Sequence, residues 1–419
     1  MLQNIYLAIM VCLSTIYQLD TILCDQVSIC IPFIRILRPS IGIVFYCHYP
    51  DLLLTNKTSF IKKLYRYPFD RLEEITTGLA DIILVNSKFT QATFESTFTM
   101  LKSIKPMVVY PCIKINEDET TSKKTIPPPP VPNEKPIILL SINRYERKKG
   151  IDIAIEAMGL IQEKYSNIHL IIAGGYDTRL KENVEHYTEL VTLAKQMKLL
   201  DNNDKQQPLF ETSKEAIQRI LPNWINDDTN TKPYDTIQIG KKITFIRSFT
   251  DNQKQCLLNN CSAVLYTPKK EHFGIVPLEC MVNYRPVIAC NSGGPLESVK
   301  ELPENERTGY LCDPTAEAFA KAMENIVSNR EKALALGKNG YTHVRSKFSR
   351  TVFGTILNDI MKIAGTSSSL KTVRNKQFFQ TLYLWFSLLI MIIIGISIII
   401  SLPYGYKIIQ ELAIQKKWI

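Results

Sequence analysis

Apolar residues fall into two patterns along this chain. From residue 137 to residue 290 they gather in short runs, near 137–141, 168–173, 243–247, 263–267 and 286–290, with stretches of helical period between them. Apolar runs of about 4–8 residues bounded by turn signals read as strands buried on both faces, and their alternation with helices predicts a doubly wound parallel sheet. A helical tail is expected from Ala316 to Lys347. Residues 1–112 predict fewer strands, at Thr21–Cys24, Gly42–Cys47, Ile82–Val85 and Met107–Tyr110, where a Rossmann-type half usually has about six.

The pattern also sets the divisions of the chain. Thr125 to Pro136, with four consecutive prolines at 127–130, favours extended polyproline and reads as a hinge. The expected layout is an incomplete N-terminal Rossmann-like domain over 1–112, a linker over 113–136 and a second Rossmann-like domain over 137–350. Residues 201–240 are rich in Asn and without sustained period, so they are expected as an inserted surface loop. A basic segment, 351–377, precedes Phe378–Leu402, an uncharged run of 25 residues and longer than the ~20 needed to span a bilayer, with 403–419 as a tail. Its flanking lysines and arginines weakly favour a cytosolic catalytic side. The closing Lys416-Lys417-Trp418-Ile419 resembles a dilysine retrieval signal, which conflicts with that orientation if the run spans fully. Leu2 to Leu19 is uncharged, with helical spacing at Ile5, Ile9, Leu13, Ile16 and Tyr17. Without a basic n-region it reads as a core helix rather than a signal peptide.

Composition narrows the partners. A hydrophobic share of 45% and a charged share of 21% describe a folded protein, and the net charge of +10 suits phosphate ligands, an acidic membrane surface, or both. The cations are scattered and lack an aromatic-basic platform, which argues against nucleic acid. Ten cysteines form no CxxC pair, so they read as buried thiols in a reducing compartment.

The chemistry gathers at three strand-to-helix turns. After the run 263–267 comes Glu271-His272-Phe273-Gly274-Ile275-Val276-Pro277-Leu278-Glu279. Pro277 suits a first helical turn, which leaves the amides of Gly274, Ile275 and Val276 for an anion, and Gly274 permits close approach of a ligand. Glu271 in the loop and Glu279 on the helix would serve different parts of one ligand; as isolated residues they would read as solvated surface. After the run 137–141, Arg144, Arg147, Lys148 and Lys149 crowd one turn before the helical pattern at Ile151. That combination fits a diphosphate. After 286–290, Ser292-Gly293-Gly294-Pro295 is a glycine turn that offers further amides. No Asp-x-Asp triplet occurs, and with cations available for the diphosphate no metal and no other cofactor is expected.

On these residues the chain resembles the GT-B glycosyltransferases of family 4. The runs SINRYERKKG (141–150), IIAGGYD (171–177), ENVEHY (182–187), EHFGIVPLE (271–279), NSGGPLES (291–298), CDQVS (24–28) and FYCHYPDLLL (45–54) are similar to the dolichol-linked oligosaccharide α-1,3/α-1,6-mannosyltransferases of N-glycan assembly. The resemblance covers about Asp20 to Phe348. It implies a GT-B fold of two Rossmann-like domains facing a cleft, with GDP-mannose as donor and a dolichol-diphosphate-linked oligosaccharide as acceptor. It also implies retention of configuration, an endoplasmic reticulum membrane location with cytosolic catalytic domains, and possible association with other enzymes of the pathway.

By the same resemblance, Glu271 lies near the donor sugar and its reacting centre, and Glu279 holds the ribose hydroxyls. Arg144 and Lys149 bind the donor diphosphate, and His48 faces the donor sugar from the other domain. The family's first strand and glycine-rich turn find no match before Asp20, so the chain is expected to be N-terminally truncated or divergent. Two rival readings follow: an inactive nucleotide-binding membrane scaffold, or a sugar phosphorylase with covalently held pyridoxal phosphate, for which no residue speaks.

Overall fold

The structure is a computed structural model that describes residues 2–14, 19–55, 59–115, 136–200, 214–224 and 237–366, and position 380. The expected span 378–402, the proline run 127–130 and the dilysine end lie outside the described residues, 380 apart. Among the described residues no helix is long and apolar enough to cross a membrane. The chain divides into two compact units, one from residues 1–84, 95–107 and 358–419, the other from 85–94 and 108–357.

The first unit is built on a sheet of strands β1 (Thr21–Asp25), β2 (Gly42–Cys47), β3 (Ile82–Val85) and β4 (Met107–Val108), in that order. β1 and β2 run parallel from Thr21 opposite Gly42 to Asp25 opposite Tyr46. All six residues of β2 are buried, as a central strand covered on both faces requires. The fully buried Arg35 on the helix Ile31–Leu37 pairs with Asp81 at 2.7 Å, and Asp81 in turn accepts the Ile43 amide at 2.7 Å. That ion pair ties the helix to the sheet; removing either member would strand a charge with no water. The helix Leu2–Leu13 departs from the core helix expected of it. Cys12 is buried, while Leu2, Tyr6, Leu7, Met10 and Leu13 are exposed.

The second unit adds β5 (Ile137–Ile142), β6 (Ile168–Gly174), β7 (Ile237–Ile239), β8 (Ile243–Arg247), β9 (Ala263–Tyr266), β10 (Val287–Cys290) and β11 (Gly309–Cys312). The sheet order is β11-β10-β9-β5-β6-β8-β7, with β7 antiparallel to β8 at one edge. Its parallel strands step outward from β5 in both directions, so the order reverses between β5 and β9. Such a reversal is the topological switch point where α/β sheets bind ligands, beyond the strands' C-terminal ends. β6 is buried along its whole length and β5 along five of its six residues, which accounts for the largely apolar runs in the sequence.

Residues 201–240 differ from the loop expected there. They contain the helix Lys214–Ile220 and the strand β7, and Ala216, Ile217, Leu221 and Trp224 join the core beneath β5 and β6. Their apolar spacing is helical but short, and the Asn-rich flanks hide it.

Candidate active site

Both strands at the switch point end in the loops that the sequence singles out. Beyond β5, Asn143–Gly150 crosses the strand ends, held from below by Tyr145. That side chain is fully buried, and its hydroxyl donates toward the carbonyls of Ile172 and Ile246 at 3.2 and 3.1 Å. Burial drives its pKa well above the ordinary tyrosine value, so it stays a neutral donor. Asn183 Nδ2 reaches the Tyr145 carbonyl at 3.1 Å and fixes the loop from the helix Lys181–Gln196.

The four cations of this loop divide. Arg147 is taken up by that helix, donating to Glu189 at 2.6 and 3.1 Å and toward Glu185 at 3.4 Å. Lys148 pairs with Glu146 at 3.0 Å. Arg144 is 74% exposed, with only a 3.8 Å approach to Glu146. Lys149 points across the switch point instead: Nζ lies 2.6 Å from Glu271 Oε2, and the two side chains are 18% and 22% exposed. The Thr267 hydroxyl, at the end of β9, donates to the Lys149 carbonyl at 2.7 Å. Gly150 follows in the left-handed region at φ 59°, a conformation that glycine adopts without a steric penalty.

Glu271 is positioned by three elements. The Tyr266 hydroxyl shares a hydrogen bond with its carboxylate, and burial first, then the nearby Glu271 charge, raises the tyrosine pKa well above normal. The Gly294 amide donates to the Glu271 carbonyl at 2.8 Å. A Cβ on Gly293 (φ 67°) would stand 2.4 Å from that carbonyl oxygen, and one on Gly294 would stand 2.0 Å from the Phe273 oxygen. Ser292 hydroxyl accepts the Lys270 amide at 3.1 Å, while its own amide goes to Cys290 at 2.8 Å. This corrects the expectation of a cluster of free amides at 292–294. The amides of Ser292 and Gly294 are spent on the fold, and the turn is glycine-rich because the Glu271 loop lies directly on it.

Gly274, at φ 81°, fits where a Cβ would meet the Tyr266 hydroxyl at 2.7 Å. The helix Val276–Val282 starts just beyond, with Pro277 in its first turn as expected. Among the described residues, the amides of Gly274, Ile275 and Val276 have no protein acceptor. His272, on the same loop, has its pKa lowered by burial against the raising effect of Glu271. Its carbonyl accepts the buried Ser87 hydroxyl at 2.5 Å.

Glu279 lies one turn into the helix, 3.1 Å from Lys254 Nζ. Burial opposes the charge on Lys254, but the carboxylates of Glu279 and Asp251 together outweigh it and the pKa is raised. Neither Lys254, on the helix Asp251–Asn260, nor Tyr266 was reached by the sequence. Each belongs to the site through a partner that local patterning cannot supply.

His48 belongs to the first unit, at the end of β2. Its Nε2 lies 2.8 Å from Asp25 Oδ1 at the end of β1, and its ring packs edge-on against Tyr46 at 4.8 Å. Gln26, at φ 62°, clamps the same loop from one carboxamide. Its Oε1 accepts the His48 amide at 2.9 Å, and Nε2 donates to Asp51 at 2.6 Å and to the Tyr49 carbonyl at 3.0 Å. Below it Glu73 accepts the amides of Asp51 and Leu52 at 2.7 and 2.9 Å, and burial lifts its pKa to about 7. Among the described residues no cluster of His, Cys, Asp or Glu could hold a metal ion.

A basic loop, a glutamate loop and a glycine turn thus meet above the switch point of a Rossmann-like sheet. Glycosyl transferases group 1 match this chain over residues 122–223 and 227–343, and the protein is a glycosyltransferase of the GT-B type. Solved structures share the fold: sucrose-phosphate synthase from Thermosynechococcus elongatus superimposes with a TM-score of 0.55 at 19% identity, covering 82% of this chain and 73% of that one. Anabaena HepE in complex with UDP gives 0.54 at 16% identity over 81% and 78%.

Curated relatives narrow the class. The human alpha-1,3/1,6-mannosyltransferase ALG2 is 42% identical over 83% of this chain and 74% of its own length, and the Dictyostelium discoideum protein of that name is 38% identical over 86% and 79%. The chain belongs to this family of alpha-1,3/1,6-mannosyltransferases.

Proposed function

We propose that the chain moves mannose from GDP-mannose to a dolichol-diphosphate-linked oligosaccharide, forming α-1,3 and α-1,6 linkages of the trimannosyl core in N-glycan precursor synthesis. Family membership supports the reaction, and the Lys149–Glu271 pair across the switch point carries the assignment of the site. Lys149 and Arg144 hold the diphosphate, and the amides of 274–276 receive its oxygens. Glu279, beside Lys254, takes the ribose hydroxyls. Ser292, Gly293 and Gly294 contribute by shaping the Glu271 loop.

Transfer retains configuration. The bond from the acceptor oxygen to C1 of mannose forms on the face that the diphosphate leaves, and the departing phosphate oxygen takes the acceptor's proton. Charge that develops on the leaving group meets cations already in place, an electrostatic contribution that dominates reactions of this kind. Glu271 attends the mannose, and His48 keeps the donor-sugar role that the family resemblance implies for it. The layout over 1–112, 113–136 and 137–350 assigns acceptor recognition to the first domain and the donor to the second, at the cytosolic face of the endoplasmic reticulum.

Incorporation of radiolabelled mannose from GDP-mannose into a dolichol-diphosphate oligosaccharide tests the proposal. Two successive additions are expected. Tight GDP binding without transfer would leave a nucleotide-binding scaffold and overturn the catalytic reading.

A further inference from the structure

We infer that the first turns of the helix Phe60–Gly78, with Leu53 and Leu54 beside them, form a face that seats on the surface of a lipid bilayer. The helix is amphipathic the wrong way round for a soluble domain. Phe60, Ile61, Leu64, Tyr65 and Tyr67 are 79%, 78%, 66%, 66% and 59% exposed, and at about 100° per residue they share one arc of the helix. An arc of that width normally faces a core. Arg66, on the far side of the helix from this arc, is half-buried and pairs with Asp70 at 3.2 Å; further along the helix Glu74, 3% exposed, accepts the Met100 amide at 2.5 Å. Leu53 and Leu54, on the adjoining turn Asp51–Leu54, are 44% and 61% exposed and extend the patch.

Charge selects the occupant. Lys62 and Lys63 are exposed at the edge of the apolar arc, where they would meet anionic headgroups, and tyrosines favour the depth at which a polar tip meets water. A second copy of the chain fits poorly, because a twofold contact would set these lysines against their own counterparts. The face also leads inward. Leu54 and Phe69 line a cavity of about 320 Å³ whose other walls include Arg66, Glu73, Asp51 and Gln26, and Gln26 holds the loop of His48. A lipid-linked acceptor lying in the bilayer would thus be presented to the His48 side of its own unit. This last consequence rests on the acceptor reading above; the seating itself does not.

Two measurements on the full chain in vesicles of phosphatidylcholine with phosphatidylinositol test the inference. A photoreactive benzoylphenylalanine placed at Tyr65 should give lipid adducts, whereas one at the exposed Leu160 of the second unit should give none. Protein adducts at 65, or no adducts, overturn it. The double change Ile61→Asp with Leu64→Asp should raise KM for the vesicle-embedded acceptor about tenfold or more, and leave kcat/KM for a short-chain, water-soluble acceptor unchanged. Equal losses on both acceptors would make the face structural and overturn it. If the wild-type chain uses neither acceptor, the acceptor reading falls, and the adducts alone decide the seating.

Discussion

Replacing Glu271 by glutamine separates two properties that a general loss of function would move together. The amide keeps the shape of the side chain beside Lys149, but the ion pair at 2.6 Å disappears. With the two groups 18% and 22% exposed, that pair is worth about 0.5–1 kcal/mol after solvent screening. An incoming diphosphate has to displace it to engage the ammonium. Glu271→Gln is therefore expected to tighten GDP binding by about two- to fivefold, while transfer falls by about 10²–10³ because the charge near the reacting centre is gone. Lys149→Met removes a charge-assisted contact of about 1.5–3 kcal/mol, so GDP should bind roughly 10- to 150-fold more weakly and GMP much less so. Calorimetric titration of both variants with GDP and GMP, paired with initial rates at saturating donor, reads all of these effects. If Glu271→Gln weakens GDP as Lys149→Met does, the carboxylate supports the nucleotide instead of competing for the lysine. Unchanged GDP affinity in Lys149→Met would refute the diphosphate assignment altogether.

Other outcomes follow from the same geometry. Gly294→Ala would place a methyl 2.0 Å from the Phe273 oxygen, so the 270–274 loop must shift; a loss of about 1–3 kcal/mol in denaturant unfolding should accompany weaker GDP binding. Gln26→Leu removes the clamp on the His48 loop and should lower kcat about tenfold while KM for GDP-mannose stays put, yet add little in a His48→Ala background. Equal losses in both backgrounds would show that the clamp acts elsewhere. His169 on β6 is buried against the Thr244 hydroxyl at 2.8 Å, and burial lowers its pKa to about 3. The unfolded chain then binds the proton first. Stability is complete above about pH 6.5 and falls toward pH 3, at most about 1.4 kcal/mol per pH unit from this group. Urea midpoints of His169→Gln should show a shallower decline between pH 7 and pH 5 than wild type.

Apolar runs revealed β5, β6, β8, β9 and β10 because these strands are covered on both faces and need no alternation, whereas the short edge strands β7 and β11 went unread; the loops after β5 and β9 stood out by composition. What stayed hidden depends on partners distant in sequence. Nothing around Lys254 marks it as the neighbour of Glu279, 25 residues away. Arg147 looked equivalent to Lys149, but the three glutamates at 182, 185 and 189 meet it from the next helix but one along the sheet. The glycines at 293 and 294 suggested amides offered to a ligand, whereas their lack of side chains makes room for the Glu271 loop. Composition identifies a glycine that is needed; only geometry says for what.

That distinction bears on how the site can work. Tyr145, bonded beneath β5 to carbonyls of two neighbouring strands, makes the basic loop part of the sheet, and Gly294 does the same for the glutamate loop. Two loops fixed in this way hold opposite charges 2.6 Å apart. A cation so close to a partly buried carboxylate avoids the cost of standing unpaired, and the exchange of Glu271 for a phosphate oxygen replaces one anion by another. On the proposed reading the lysine need not move far or change its charge to serve the leaving group, and the carboxylate it releases is set free beside the sugar. Preorganisation of this kind places the energetic cost in folding rather than in each turnover, which is why substitutions in the supporting glycines should damage binding and stability together while those at Glu271 separate binding from rate.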